Sequence, residues 1–121
     1  MSASYRIAKS LETVFTSLEG VVTDDDLLGY RRELESDPDF DPAFAQLIDC
    51  RGVAEVALDS ETIRTIARPS VYAPGAKRAI VATRDAVYGL ARMYERLRGG
   101  ESDEVRVFRD IEEARRWLGL D

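Results

Sequence analysis

The sequence predicts an α/β fold, in which a mixed, mostly parallel five-stranded sheet is covered by four helices on its two faces. From Leu11 onward, segments whose apolar residues recur with the spacing of a strand alternate with segments whose apolar residues recur with the spacing of a helix. Capping residues precede the helical runs, and Pro or Gly follows them. The resulting order, β-β-α-β-α-β-α-β-α, favours parallel pairing, with the first strand antiparallel at an edge.

The first two strands are predicted at residues 5–9 and 12–19, because both runs are rich in aromatic or β-branched residues. About two residues separate the runs, which predicts a hairpin. Gly20 breaks the alternation and is expected to end the second strand. One face of that strand carries Val14, Thr16 and Leu18.

The first helix is predicted to begin after Thr23, with Asp26 at the capping-box position. Its leading acids also oppose the positive end of the helix dipole. The helix runs to about Ser36, because the residue before Pro38 is biased away from helical geometry.

A buried strand is predicted at 44–49, where an apolar run lies between Pro42 and Gly52. A helix at 60–68 follows, capped by either Asp59 or Ser60. Its inward residues are expected to be Ile63, Ile66 and Ala67.

The last third of the chain begins with a predicted loop at 70–77 and a buried strand at 78–82. Thr83 is expected to cap the longest helix, at 84–97, which stops at Gly99 and Gly100. The inward stripe of this helix is expected to contain Val87, Leu90, Ala91, Tyr94 and Leu97.

The final predicted strand, at 105–108, leads into a helix opened by a second capping box of Asp110 and Glu113. One side of this helix carries Ile111, Ala114, Trp117 and Leu118.

Composition excludes several kinds of site. The 121 residues include 17 basic and 23 acidic side chains, no histidine and one cysteine, for a net charge of −6. Triads and metal sites that need imidazole are excluded, as are intrachain disulfides and cysteine-rich zinc sites. No cofactor, metal or nucleic-acid partner is expected, since nucleic acid prefers a basic face. No apolar run is long enough to span a membrane and the N-terminus lacks a signal-peptide pattern, so a cytoplasmic location is expected.

Two features with chemical potential have simpler explanations. Asp24, Asp25 and Asp26 could bind a divalent cation, but the capping box already explains them. Cys50 follows a buried strand and has no histidine to activate it, which favours a packing role.

A third feature is the odd spacing of Asp37, Asp39 and Asp41, which is that of a calcium loop. The loop pattern requires glycine at its sixth position and glutamate at its twelfth, where this chain has Pro42 and Ile48. A solvated acidic loop is therefore the interpretation.

Paired carboxylates could support acid–base chemistry near the end of the third strand, where ligands of open α/β sheets gather. The candidates are Asp49, Glu55, Asp59 and Glu61. An enzyme would need two of them to converge in one cleft with different pKa values.

Gly89 is unusual because glycine inside a helix costs about 1 kcal/mol relative to alanine. It lies with Met93 and Arg96 off the predicted inward stripe. A glycine beside a methionine would let another backbone approach closely, so this side of the helix is a candidate protein contact and a homodimer is among the expected assemblies.

Six segments of the chain, taken together, resemble the bacterial SpoIIAA-like proteins, small stand-alone relatives of the STAS domain of anti-sigma factor antagonists. The segments are 18–23 (LEGVVT), 47–53 (LIDCRGV), 79–82 (AIVA), 88–95 (YGLARMYE), 107–110 (VFRD) and 113–118 (EARRWL). The resemblance implies a single domain over residues 1–121, with a mixed sheet and helices around it. It also points to lipid-binding proteins of the CRAL-TRIO type, which share this topology.

The antagonists are regulated at the second serine of an Asp-Ser-Ser-Gly motif, at the start of the helix after the third strand. The matching residues here are Asp59, Ser60, Glu61 and Thr62, so glutamate occupies the phosphorylated position. Its carboxylate mimics phosphate only crudely, with about half the charge.

Three hypotheses follow. The first is a non-enzymatic protein-interaction or regulatory module, whose binding residues would be Asp59, Ser60, Glu61, Tyr88, Gly89, Arg92 and Met93. The second is a carrier of a small apolar ligand or lipid, which an apolar pocket of at least ~300 Å³ between sheet and helices would support. The third, ranked last, is an enzyme that uses the carboxylates named above.

Overall fold

One five-stranded sheet organises the protein. The structure, a computed structural model, describes residues 2–67, 71–98 and 103–120. The sheet has the order β1-β2-β3-β4-β5. As the sequence predicts, β1 is antiparallel and lies at an edge, and the later pairs are parallel. The strands are β1 (Ala3–Ala8), β2 (Thr13–Thr23), β3 (Ala45–Ala57), β4 (Lys77–Val81) and β5 (Glu104–Phe108). The helices are α1 (Asp24–Glu35), α2 (Ser60–Ala67), α3 (Asp85–Leu97) and α4 (Ile111–Leu118).

Helices cover both faces of the sheet, three on one face and one on the other. Successive side chains of β3 alternate between the faces, as strand geometry requires. Gln46, Ile48 and Cys50 point toward the layer of α1, α2 and α3. Leu47 points the other way and packs with Ala114 of α4.

The face under α4 is a closely packed apolar core. Leu47, Ala79, Val81 and Ala114 are buried there, and the ring of Phe108 lies 5.8 Å from that of Trp117. The predicted apolar side of α4 is thus confirmed. Packing on the three-helix side is less complete, and the candidate site lies there.

Capping residues explain where two of the helices begin. The Thr23 side chain accepts a hydrogen bond from the Asp26 backbone, and the Asp26 carboxylate accepts one from the Thr23 backbone, which confirms the capping box. At α4, Asp110 is the cap, but its carboxylate accepts from the Glu112 backbone, and no reciprocal bond from Glu113 is among the described contacts.

The predicted Thr83 cap is wrong. Helix α3 begins at Asp85, one residue later than predicted, and its N-cap is Arg84, whose side chain makes no capping bond. Thr83 instead contributes its carbonyl, which accepts a bond of 3.1 Å from Arg109.

Strands β2 and β3 both continue well beyond their predicted ends. Gly20 and Gly52 do not terminate them, because two register shifts let the strands stay paired as far as Thr23 and Ala57. Gly20 takes φ +67°, a left-handed conformation that glycine adopts without strain. At Gly52 an added Cβ would lie 3.2 Å from the Glu19 side chain, so the close approach also favours glycine.

The connection between β1 and β2 is longer than the predicted two-residue turn. A short 3₁₀ turn, Lys9–Leu11, follows β1, and Glu12 then adopts φ +50° before β2 begins. Residue 9, predicted as strand, therefore belongs to the turn.

Some predictions fall outside the described residues. These are the end of α2 at residue 68, the start of the following loop at 70, and the helix stop at Gly99 and Gly100. Among the described residues, no helix is long and apolar enough to cross a membrane.

Two threonine substitutions test the capping assignments directly. Thr23→Ala is expected to lower the free energy of unfolding by about 1 kcal/mol, because it removes half of a capping box. Thr83→Ala, the matched control, is expected to change it by less than about 0.5 kcal/mol, since the residue is exposed and caps nothing. Urea unfolding of both variants measures the difference, and equal losses would contradict it.

Candidate functional site

A cavity of about 180 Å³ lies between the sheet and the helices α1, α2 and α3. Its wall is predominantly apolar, but side chains at one end carry polar groups. The apolar wall includes Leu18, Val22, Leu27, Ile48, Cys50, Val53, Val56, Leu58, Ile63, Ile80, Val87, Leu90 and Ala91. The polar groups belong to Thr16, Tyr30, Arg31, Gln46, Tyr72, Arg78 and Tyr94.

The apolar part lies toward the carboxyl ends of β2 and β3, in the segments that extend past their predicted ends. Val22 and Val53 are buried there, and Ile63 of α2 and Val87 of α3 face them from the helix layer. Cys50 is buried among these residues, and burial raises the pKa of its thiol to about 12. The structure thus agrees with the predicted packing role of Cys50, because the thiolate needed by a nucleophile is disfavoured.

At the polar end, the amide of Gln46 is held by three hydrogen bonds. Its Nε2 donates to Tyr30 Oη at 2.7 Å and to Thr16 Oγ1 at 3.1 Å. Its Oε1 accepts from Nε of Arg78 at 2.9 Å. Both amide N–H groups and the carbonyl are therefore satisfied, which a buried amide requires.

Arg78 is the charged group of the polar end, and its side chain is only 10% exposed. Its Nη1 donates to Tyr94 Oη at 2.8 Å and to Asp103 Oδ2 at 3.0 Å. The guanidinium also lies 4.7 Å from the centroid of the Tyr72 ring. Because Asp103 also pairs with buried Arg98, Arg78 shares its counterion with a second guanidinium.

The polar end is the part of the site that sequence reasoning missed. Arg98, which follows the last residue of α3, is buried beside Asp103. A signal was present in Gln46, a polar residue inside the apolar run at 44–49, and in Arg78, at the start of a buried strand. Polar residues in such positions need buried partners.

Three residues of the predicted interaction surface lie around the start of α2. Asp59 caps the helix, because its carboxylate accepts from the Thr62 backbone at 2.8 Å. Ser60 and Glu61 are exposed in the first turn, and Glu61 lies 3.7 Å from Arg64. Helix α2 packs on α3, which carries the rest of that surface.

On α3, two of the four predicted residues already have partners within the chain. Tyr88 packs against the core and stacks with Arg109, whose guanidinium lies 4.0 Å from the ring centroid. Arg92 lies 3.4 Å from Glu95. Gly89 is exposed as predicted, with no atom within 4 Å of where its Cβ would be, and Met93 is partly exposed.

The predicted inward stripe of α3 is confirmed except at its last position. Val87, Leu90, Ala91 and Tyr94 line the cavity, whereas Leu97 is 40% exposed. Leu97 is the last residue of the helix, beyond the part that covers the cavity.

The four carboxylates of the enzyme hypothesis have separate local environments. Asp49 lies on the β3 face opposite the cavity and pairs with Arg51 at 2.8 Å, and that side-chain hydrogen bond lowers its pKa. Glu55 is exposed, Asp59 caps a helix, and Glu61 projects into solvent. The structure brings no two of these four groups together in the cavity.

Two acids of the calcium-loop spacing, Asp37 and Asp41, accept local hydrogen bonds. Asp37 accepts from Tyr5 Oη at 2.8 Å and from the Asp39 backbone, and Asp41 accepts from the Ala43 backbone. In the described part of the chain, no three acidic or cysteine side chains are grouped as a metal site would need.

The comparisons with known proteins concern the fold. Neither a protein-family model nor a curated protein matches the sequence. Among solved structures, the chain resembles an uncharacterized protein of the DUF3478 family from Shewanella loihica PV-4, which has a SpoIIAA-like fold. The TM-score is 0.65 at 18% sequence identity, with 97% of this chain and 94% of that chain covered. The protein therefore has the SpoIIAA-like fold, which confirms the sequence resemblance at the level of the fold.

The buried thiol predicts a pH dependence of stability. Folding raises the pKa of Cys50, so its contribution is complete below the unfolded thiol pKa and is lost as pH rises toward about 12. Between pH 8 and pH 10 the loss due to Cys50 is expected to be about 1–2 kcal/mol. Denaturant unfolding of the parent chain and of Cys50→Ala at both pH values isolates this loss from that of the tyrosines. Identical pH slopes would contradict it.

Proposed function

We propose that this chain is a non-catalytic binding protein that holds a small apolar ligand in the cavity between the sheet and α1, α2 and α3. The observation that carries the proposal is the predominantly apolar wall of the cavity, whose volume is about 180 Å³. Protein interiors ordinarily contain few voids larger than a water molecule. A bound apolar molecule would cover this wall, and burial of apolar surface is favourable by ~25 cal/mol per Å² removed from water.

The volume limits the ligand. It is below the ~300 Å³ expected of a carrier for drug-sized molecules or long lipids. It is slightly larger than the ~150 Å³ apolar cavity known to accept benzene. The proposed ligand therefore has roughly six to ten non-hydrogen atoms.

The absence of catalysis is part of the proposal, and the separate environments of the candidate carboxylates support it. A cytoplasmic location is also part of it, and the free thiol of Cys50 fits a reducing compartment.

Toluene tests the proposal, because it has seven carbon atoms and no polar group. We expect toluene to shift amide resonances of cavity-lining residues in a protein-detected NMR titration. Ala91→Leu adds bulk to the cavity wall and is expected to weaken this binding by at least about tenfold. Ala86→Leu makes the same change at an exposed position of α3 and is expected to leave binding unchanged. Absence of toluene binding to the parent chain would contradict the proposal.

A second candidate function is protein interaction through the exposed side of α3, as in a regulatory module related in fold to anti-sigma factor antagonists. The open space at Gly89 and the partly exposed Met93 favour it. Ser60 and Glu61 lie on the neighbouring α2, where the antagonists carry their regulatory serine. Self-association through this side of α3 is the form of the interaction that can be tested without a known partner.

Analytical ultracentrifugation of single variants tests this second function. We expect a concentration-dependent dimer for the parent chain, and at least about tenfold weaker dimerisation for Gly89→Arg and for Met93→Glu, because both place charge in the contact. Ala43→Arg, in the exposed loop before β3, is the control and should dimerise normally. A monomeric parent chain, or dimerisation unaffected by both changes, would exclude this surface for self-association.

A further inference from the structure

We propose that the ligand of the cavity is an amphipathic acid, whose carboxylate binds Arg78 and Tyr94 at the polar end while its short apolar tail occupies the rest. This inference rests on the proposed function and names the chemical class of its ligand. It follows from the polarity of the cavity wall, from the hydrogen bonds left open at its polar end, and from the charge there.

The cavity wall is polar only where the strands begin. Gln46 and Arg78 lie at the second positions of β3 and β4, and Tyr94 faces them from the last turns of α3. Toward the carboxyl ends of the strands, the wall contains aliphatic side chains and Cys50. A molecule with one polar end and one apolar end fits this division, whereas a wholly apolar molecule would leave the polar end unfilled.

Arg78 and Tyr94 each keep an open donor at the polar end. Within the described part of the chain, Arg78 makes hydrogen bonds through Nε and Nη1, and none is made through Nη2. The Tyr94 hydroxyl accepts from Arg78, and no described acceptor takes its own proton. Gln46 uses its whole amide to hold the guanidinium and Tyr30, so it positions Arg78 and does not contact the ligand. A carboxylate can accept from a guanidinium N–H and a hydroxyl at once.

The charge at this end favours an anion. Among the described residues of the cavity wall none is acidic, and the buried cation is Arg78, since Arg31 pairs with Glu35 at 3.3 Å. The nearest carboxylate on Arg78 is that of Asp103, which Arg98 shares. A carboxylate that accepts from the open Nη2 of this buried guanidinium forms a charge-assisted hydrogen bond, which the low dielectric of the interior strengthens.

The cavity volume sets the length of the acid. A six-carbon acid has eight non-hydrogen atoms, within the roughly six to ten that the cavity accommodates. Hexanoate is therefore a suitable probe, and 1-hexanol is its uncharged match in length.

Three probes separate failure of this inference from failure of the proposed function. We expect hexanoate at pH 7 to bind the parent chain at least about tenfold more tightly than 1-hexanol, measured by NMR titration or calorimetry. If toluene and 1-hexanol bind and hexanoate binds no better, the carboxylate site is wrong while the apolar cavity stands. If none of the three binds, the proposed function itself fails.

Substitutions locate the carboxylate. Tyr94→Phe removes one hydroxyl and keeps the ring, and it is expected to weaken hexanoate binding about three- to tenfold with little effect on 1-hexanol. Arg78→Met is expected to abolish the preference for hexanoate, provided that circular dichroism shows a folded chain. Tyr5→Phe is the matched control, because it removes a hydroxyl bonded to Asp37, outside the cavity wall. An undiminished hexanoate preference in Tyr94→Phe would overturn the role of Tyr94, and the same result in folded Arg78→Met would overturn the inference.

Discussion

A guanidinium held inside the molecule is the constraint on which the surrounding structure depends. Removing a charge from water is expensive, so buried Arg78 must be surrounded by acceptors and an opposing charge. Those groups come from different parts of the chain: Gln46 from β3, Tyr94 from α3, and Asp103 from the position directly before β5. Hydrogen bonds of the Arg78 side chain therefore link β4 to β3 and to α3 near the amino ends of the strands.

Gln46, which binds Arg78, needs hydrogen-bond partners of its own. Once its carbonyl is occupied by Arg78, its two N–H groups need acceptors, and Thr16 of β2 and Tyr30 of α1 provide them. Every hydrogen-bonding group of the Gln46 amide is thereby satisfied, as a buried amide requires. Gln46 is held in one orientation by these bonds, while the wall at the aliphatic end consists of side chains that make no hydrogen bonds of this kind.

The elements of the fold could be predicted because their signals are local. Hydrophobic period, the Thr23 capping box and the glycines and prolines near helix ends indicated the order of strands and helices and the antiparallel first strand. The ends of the strands were harder to predict from the sequence. At Gly20 and Gly52 a glycine that usually ends a strand instead permits a register shift, and this depends on the partner strand. The Thr83 cap failed for a related reason, since a residue that can cap a helix does so only where the chain turns at that position.

The cavity was much harder to predict than the fold. Its existence depends on how fully helices α1, α2 and α3 fill the space above the sheet, and side-chain volumes in one sequence do not determine that. Its polar end depends on partners 16 to 32 residues apart in the chain, as in the bonds of Gln46 to Tyr30 and of Arg78 to Gln46. Only the unexplained presence of Gln46 and Arg78 in buried strands pointed toward it.

The extension of β3 beyond its neighbour has a consequence for solubility. Strand β3 pairs with β4 only as far as Asp49 but continues to Ala57, so one edge of its second half lacks that neighbour. Exposed strand edges of this kind are templates for aggregation. Two register shifts lie in this part of the β2–β3 pair, and Arg51 and Glu55 are charged and exposed along it. Bulges and charged side chains of this kind disfavour the addition of a strand from another chain, here at the segment that walls the apolar end of the cavity.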